Sequence, residues 1–225
     1  MHYEVRELSK TYHTGKRTAT AVNRVSLEIG EGEFIRITGR SGSGKTTLLQ
    51  LLSGFLKPSE GSVMVDGKKM CEMTDQELSE IRNRKIGYIA QNQTLFSGLN
   101  VLENLLLPDL ISGNTGDDAW AFELLQKLDA EELSEAFPGE LSGGEQKRVM
   151  IARALINHPR IVIADEPTGN LDRTASLCVL NLFQKLSEEG TAVLLVTHDL
   201  LAQTFGNVHY IMDNGRLHKA DDSEI

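Results

Sequence analysis

Two hydrophobic periods run through this chain. Residues 3–11 and 21–29 alternate apolar and polar positions, the period-two pattern of antiparallel strands with one solvated face. Residues 61–66, ending at Asp66-Gly67, read as another such strand. Residues 34–38, 86–90, 161–164 and 192–196 are short, β-rich or continuously apolar runs, as expected of strands covered on both faces. Helical periodicity follows at 46–54. It returns over 92–140, where Leu102, Leu105 and Leu106 precede Ala121, Leu124, Leu125 and Leu128, with breaks at Pro108 and 113–116. A last helix is predicted over 145–157, with Val149, Ala152, Leu155 and Ile156 on its apolar face.

Buried strands alternating with helices predict an α/β fold around a largely parallel sheet. The early strands add an antiparallel β subdomain, and 92–140 reads as an inserted α-helical subdomain. The expected organisation is a single domain over 1–225, with its core in 1–91 and 141–225.

Composition narrows the function classes. With 225 residues, 40% hydrophobic and 24% charged, the chain can bury one substantial core. A net charge of −9 disfavours nucleic acid as a partner, because phosphate-backbone binding needs clustered Lys and Arg. The start lacks a signal-peptide pattern, and no apolar run approaches the roughly 18 residues of a membrane span, so a cytoplasmic location is expected. Cys71 and Cys178 have neither scaffold nor metal-ligand spacing and read as ordinary thiols. Disorder is expected only in the acidic tail from Ala220.

Gly39-Arg40-Ser41-Gly42-Ser43-Gly44-Lys45-Thr46 fits G-x-x-x-x-G-K-[ST], after a predicted strand and before a predicted helix. The glycines let successive N–H groups turn toward phosphates, and the helix N-terminus adds the positive end of its dipole. Lys45 is placed to reach the β- and γ-phosphates, Thr46 to ligate Mg²⁺ and Thr47 to touch the α-phosphate region. The apolar run 161–164 ends in Asp165 and Glu166, candidates for a Mg²⁺ ligand and for the group that orients an attacking water. His198 and Gln91 follow two further strands at the same carboxyl edge, where α/β sheets bind ligands. Taken alone, each is more often structural.

A second glycine-rich helix start, Ser142-Gly143-Gly144, opens the helix at Glu145. It can receive an anion, or Ser142 can simply cap the helix with no ligand.

In order, GRSGSGKT (39–46), YIAQ (88–91), LSGGEQ (141–146), IVIADEP (161–167), GNLD (169–172) and VTHD (196–199) resemble the nucleotide-binding subunit of an ATP-binding cassette (ABC) transporter over essentially the whole chain. LSGGEQ marks this family among P-loop proteins. The resemblance implies a P-loop NTPase (RecA-like) core and ATP with Mg²⁺ as ligands. It implies that Tyr12 stacks on adenine, the alternative being a packed strand aromatic. Gln91 matches a Mg²⁺ and water contact that links the nucleotide site to the helical subdomain. His198 matches a γ-phosphate contact, and Asp172 matches a loop at the dimer interface.

The same resemblance places Ser142, Gly143, Gly144 and Gln146 away from the chain's own phosphate loop, against ATP held by a second copy. Its partners are then a homodimeric copy in the ATP state and an integral membrane permease, which holds the subunit on the inner face of the membrane. TGNLD (168–172), NVLEN (100–104) and PGE (138–140) resemble the macrolide-export, lipoprotein-release, cell-division and peptide-antibiotic-efflux branch. Arg40 and Met150 depart from that branch without touching an assigned role. The alternative is a cell-division-type module that transmits force and transports nothing. A soluble ABC ATPase of DNA repair or translation fits less well, since it expects a coiled-coil insertion, a second cassette or a basic surface.

Overall fold

The computed structural model describes residues 2–15, 17–92 and 94–220; the tail beyond Ala220 lies outside them. Strands β1 (Tyr3–Thr14), β2 (Arg17–Ile29), β4 (Glu60–Val65) and β5 (Lys68–Lys69) form an antiparallel sheet in the order β2-β1-β4-β5. Strands β3 (Phe34–Thr38), β6 (Ile86–Ile89), β7 (Ile161–Asp165), β8 (Ala192–Val196), β9 (Val208–Asp213) and β10 (Arg216–Lys219) form the second sheet, ordered β10-β9-β3-β8-β7-β6. Every pairing in it is parallel except β10 on β9. Asn23 N–H donates to Gly215 O at 2.8 Å and ties the two sheets together.

Register is what builds the site. Ile37 pairs with Val196, Asp165 with Val196, and Ala164 with Ile89. The carboxyl ends of β3, β8, β7 and β6 are therefore level, and the loops leaving them converge on one edge.

Side-chain alternation along these strands divides the apolar core into two layers. Val162, Ala164, Val193 and Leu195 face the layer of α3 (Val101–Ile111), α4 (Asp118–Lys127), α5 (Gly143–Leu155) and α6 (Arg173–Glu188). Ile161, Ile163, Leu194 and Val196 face α1 (Lys45–Leu52) and the antiparallel sheet. Each fully buried aliphatic side chain contributes about 1.5–3 kcal/mol.

The structure departs from the sequence reading at several elements, α6, β9 and β10 among them, for which no segment was predicted. Pro108 does not break a helix but lies inside α3. Its ring removes one helical N–H, yet its own carbonyl is doubly engaged, by Asn83 Nδ2 at 3.0 Å and Ser112 Oγ at 3.1 Å. The periodicity also missed α2 (Asp75–Arg84), which begins at a Thr74/Glu77 capping box but buries only Leu78 and so carries no apolar stripe.

The loop before α3 hangs on one side chain. Asn104 is fully buried; its Oδ1 accepts from Phe96 N–H at 2.8 Å, and its Nδ2 donates to the carbonyls of Phe96, Leu99 and Asn100 at 2.9–3.1 Å. Asn104→Ala is expected to destabilise the chain by about 1–3 kcal/mol, read as a lower urea midpoint at unchanged slope.

Candidate active site

The loop between β3 and α1 turns on left-handed glycines. Gly39 has φ 147° and Gly44 has φ 108°; a Cβ would fall 2.1 Å from Met212 O at the first and 2.0 Å from Ala21 O at the second. No other residue fits either position. Lys45 Nζ folds back to donate to Gly39 O at 2.7 Å and Arg40 O at 2.9 Å, closing the loop into a ring. Ser43 N–H is taken by Arg40 O and Ser43 O accepts from Gly215 N–H, whereas the buried Ser43 Oγ has no partner among the described residues. Among the described residues, the N–H groups of Gly42, Gly44, Lys45, Thr46 and Thr47 find no acceptor. A ring of unpaired amides at a helix start, with a lysine across it, is an anion cradle of phosphate size.

The level strand ends bring acids to this cradle. Thr46 Oγ1 donates to Asp165 Oδ2 at 2.7 Å. That hydroxyl and carboxylate are hard oxygen donors of the kind Mg²⁺ takes, so the residues fit that ion. Glu166, the next residue, has φ 50°, a left-handed conformation that costs a non-glycine residue of order 1–3 kcal/mol. Its carboxylate reaches across to the end of β8. Oε2 accepts from His198 N–H at 3.2 Å, and Oε1 lies 3.5 Å from His198 Nε2. Burial pushes the Lys45 ammonium below its ordinary pKa, and the carboxylates of Glu166 and Asp165 oppose that shift.

These groups share one cleft of about 690 Å³, within the range of small-ligand sites. Ser41, Gly42, Gly44, Lys45, Thr46 and Thr47 form one wall. Asp165, Glu166, His198 and Gln91 meet it from the strand ends. Gly39, Arg40 and Ser43 complete the loop behind the wall.

The structure also brings α5 to the cleft. Gly143, expected away from the chain's own phosphate loop, lines it, as does Met150, to which the sequence reading gave no role. Lys147 of α5 lines it too; only 6% exposed, it has one long contact, Nζ to Ala90 O at 3.4 Å beside Gln91. Burial lowers its pKa against the pull of Asp165 and Glu166. A lysine four residues before Ile151 on the buried side of a helix was the available signal.

Other expected site residues stay outside this cleft. Tyr12, 40% exposed on β1 with Lys10 Nζ 5.5 Å from its ring centroid, is not a packed core aromatic. Ser142 caps α5: its Oγ accepts from Glu145 N–H at 3.3 Å and donates to Glu145 Oε2 at 2.6 Å. Gln146 Nε2 donates to Pro138 O and Leu141 O. Gly144 also lies outside it; its N–H group, like that of Gly143 in the cleft, has no acceptor among the described residues.

A phosphate cradle, a hydroxyl–carboxylate pair and a Glu–His pair at one edge of a parallel sheet define a P-loop nucleotide-binding protein. Residues 22–169 match the model of the ABC transporter family, and the chain belongs to that family, as its ATP-binding and ATP-hydrolysing subunit. It is 41% identical over 213 residues to the lipoprotein-releasing system ATP-binding protein LolD of Buchnera aphidicola subsp. Schizaphis graminum, covering 93% of both chains. It is 40% identical over 198 residues to the macrolide export ATP-binding/permease protein MacB of Mannheimia succiniciproducens, covering 87% of this chain but only 31% of that protein. The fold matches the dimeric post-hydrolysis structure of the ATP-binding cassette MJ0796 bound to ADP and Pi, with TM-score 0.90, 38% identity, and coverage of 96% of this chain and 98% of that one. Among the described residues no helix is long and apolar enough to cross a membrane.

Proposed function

We propose that this chain hydrolyses ATP in a head-to-tail homodimer and thereby drives a separate membrane permease of the lipoprotein-release or macrolide-export kind. The observation that carries the site assignment is the meeting of Lys45, Thr46, Asp165, Glu166 and His198 at one sheet edge. The unpaired amides of the loop and the Lys45 ammonium bind the β- and γ-phosphates. Glu166 accepts a proton from the water that attacks the γ-phosphorus as the bond to the ADP oxygen breaks, and His198 holds the γ-phosphate in line. Thr46 and Asp165, with Gln91 at the rim, are the residues to hold Mg²⁺, which when bound neutralises phosphate charge. Tyr12, exposed on the β1–β2 hairpin, is the aromatic assigned to adenine.

Dimerisation accounts for the second glycine-rich helix start. Gly143 and Gly144 present unpaired N–H groups at the positive end of α5, and Ser142 and Gln146 flank them, so this terminus takes the γ-phosphate of the nucleotide on a second copy. The solved dimer of a cassette with this fold supports the reading. ATP then holds two copies together, and loss of the γ-phosphate releases them. The permease reading is supported by the composite name and greater length of the macrolide export relative. The subunit would sit at the inner membrane face through that permease, with residues 92–140 as the subdomain that carries the motion.

Ser142→Phe separates cis from trans contacts. It is expected to leave the affinity for Mg·ATP of the single chain within about twofold while abolishing ATP-dependent dimers in sedimentation velocity. Dimers that persist would remove Ser142 from the interface. Co-purification with an integral membrane protein tests the permease.

A further inference from the structure

Arg36 lies in β3, three residues before Gly39, and is 4% exposed in the middle of the parallel sheet. It shares its face of the sheet with Phe34 and, across the two ladders, with Leu195 of β8 and His209 of β9. A guanidinium keeps its charge in such surroundings, and burial pushes its pKa down with no counter-charge opposing the shift. Among the described residues its Nη1 donates to one acceptor, Ala202 O at 2.6 Å, and its buried Nε finds no partner.

Ala202 belongs to the short 3₁₀ turn Leu200–Thr204 that follows His198. Its N–H donates to Asp199 O at 3.1 Å, and Asp199 Oδ1 accepts from Leu201 N–H at 2.9 Å, so the turn is rigidly joined to the residue beside His198. Ala202 O also accepts from Phe205 N–H at 3.1 Å, so it would not be orphaned without the arginine. A buried cation with one bond and no ion partner costs stability compared with an apolar side chain of similar length. Stability therefore does not account for Arg36, whereas geometry does.

We propose that Arg36 is a positioning residue that fastens the turn after His198 to the strand feeding the phosphate loop, so that the imidazole is held against Glu166. This rests on the reading of His198 as a γ-phosphate contact. The link spans the cleft's two halves from beneath, and through it the loop and the histidine move as one body.

The test compares Arg36→Met, Arg36→Lys, His198→Ala and the double variant Arg36→Met/His198→Ala in the whole subunit. Arg36→Met is expected to melt at or above the parent temperature, with KM for ATP within about twofold and kcat lower by about tenfold or more. Without nucleotide, amide exchange in the segment 201–205 should rise about tenfold. Arg36→Lys, which keeps one donor, should restore most of both. The double variant should hydrolyse ATP no more slowly than His198→Ala alone.

The proposal is overturned if Arg36→Met fails to fold, keeps parental exchange and kcat, or loses activity that adds in full to the loss in His198→Ala. If His198→Ala alone retains parental kcat, the reading of His198 fails, and exchange in the turn then decides the anchoring by itself.

Discussion

Glu166→Gln is expected to cut ATP hydrolysis by about 10²–10⁴-fold while leaving Mg·ATP binding intact, because the amide keeps the shape of the carboxylate but cannot take a proton from water. Its carbonyl oxygen can still accept the His198 N–H, now 3.2 Å from Glu166 Oε2, so the turn at φ 50° should persist. The ATP-loaded variant should accumulate as a dimer, since the γ-phosphate that joins the copies is no longer removed. Single-turnover phosphate release and size-exclusion chromatography with saturating Mg·ATP read the two effects separately. Parental phosphate release would remove Glu166 as the base, and a variant that stays monomeric under saturation would remove the sandwich.

Lys45→Ala should act earlier, on binding. In the structure Lys45 Nζ braces the loop through Gly39 O and Arg40 O, and of the loop's two cations, Arg40 and Lys45, it is the one that lines the cleft. Charge-assisted hydrogen bonds contribute about 1.5–3 kcal/mol each, so losing the ammonium should weaken ATP by about 10²-fold or more. Equilibrium titration with a fluorescent ATP analogue checks this. A loss of less than about threefold would mean that the amides alone bind the phosphates. AMP, which has no β- or γ-phosphate, should be bound equally by variant and parent.

The contrast between these two residues shows how much of the site was legible beforehand. Lys45 could be read because its partners are contiguous: the glycines, the lysine and the helix start lie within eight residues, and the backbone angles at Gly39 and Gly44 permit little else. Glu166 was legible as the tip of an apolar strand. That His198, 32 residues later, ends a strand at the same carboxyl edge was legible too, but not that the two side chains meet. β1, β2 and β4 were likewise visible as a period of two, β3 and β8 as short apolar or β-rich runs, and α5 as a period of three to four residues. Pro108 misled because a proline forbids one N–H bond, not the helix, when Asn83 and Ser112 hold the carbonyl it turns outward. Lys147 had no part in the sequence reading and Met150 appeared there only as a departure from the branch, because the helix was read along Val149, Ala152, Leu155 and Ile156 and the cleft touches a different stripe of it.

By itself, the sequence determined the phosphate loop, the acidic strand end and the class of ligand, since each depends on neighbouring residues and on local backbone sterics. The tertiary structure decided which groups act together. Thr46 and Asp165 are 119 positions apart, and Arg36 and Ala202 are 166 apart. Both contacts exist because the register of β3, β8 and β7 sets their ends level. A shift of one residue along any of those strands would send its side chains to the opposite layer and take the acid from the loop.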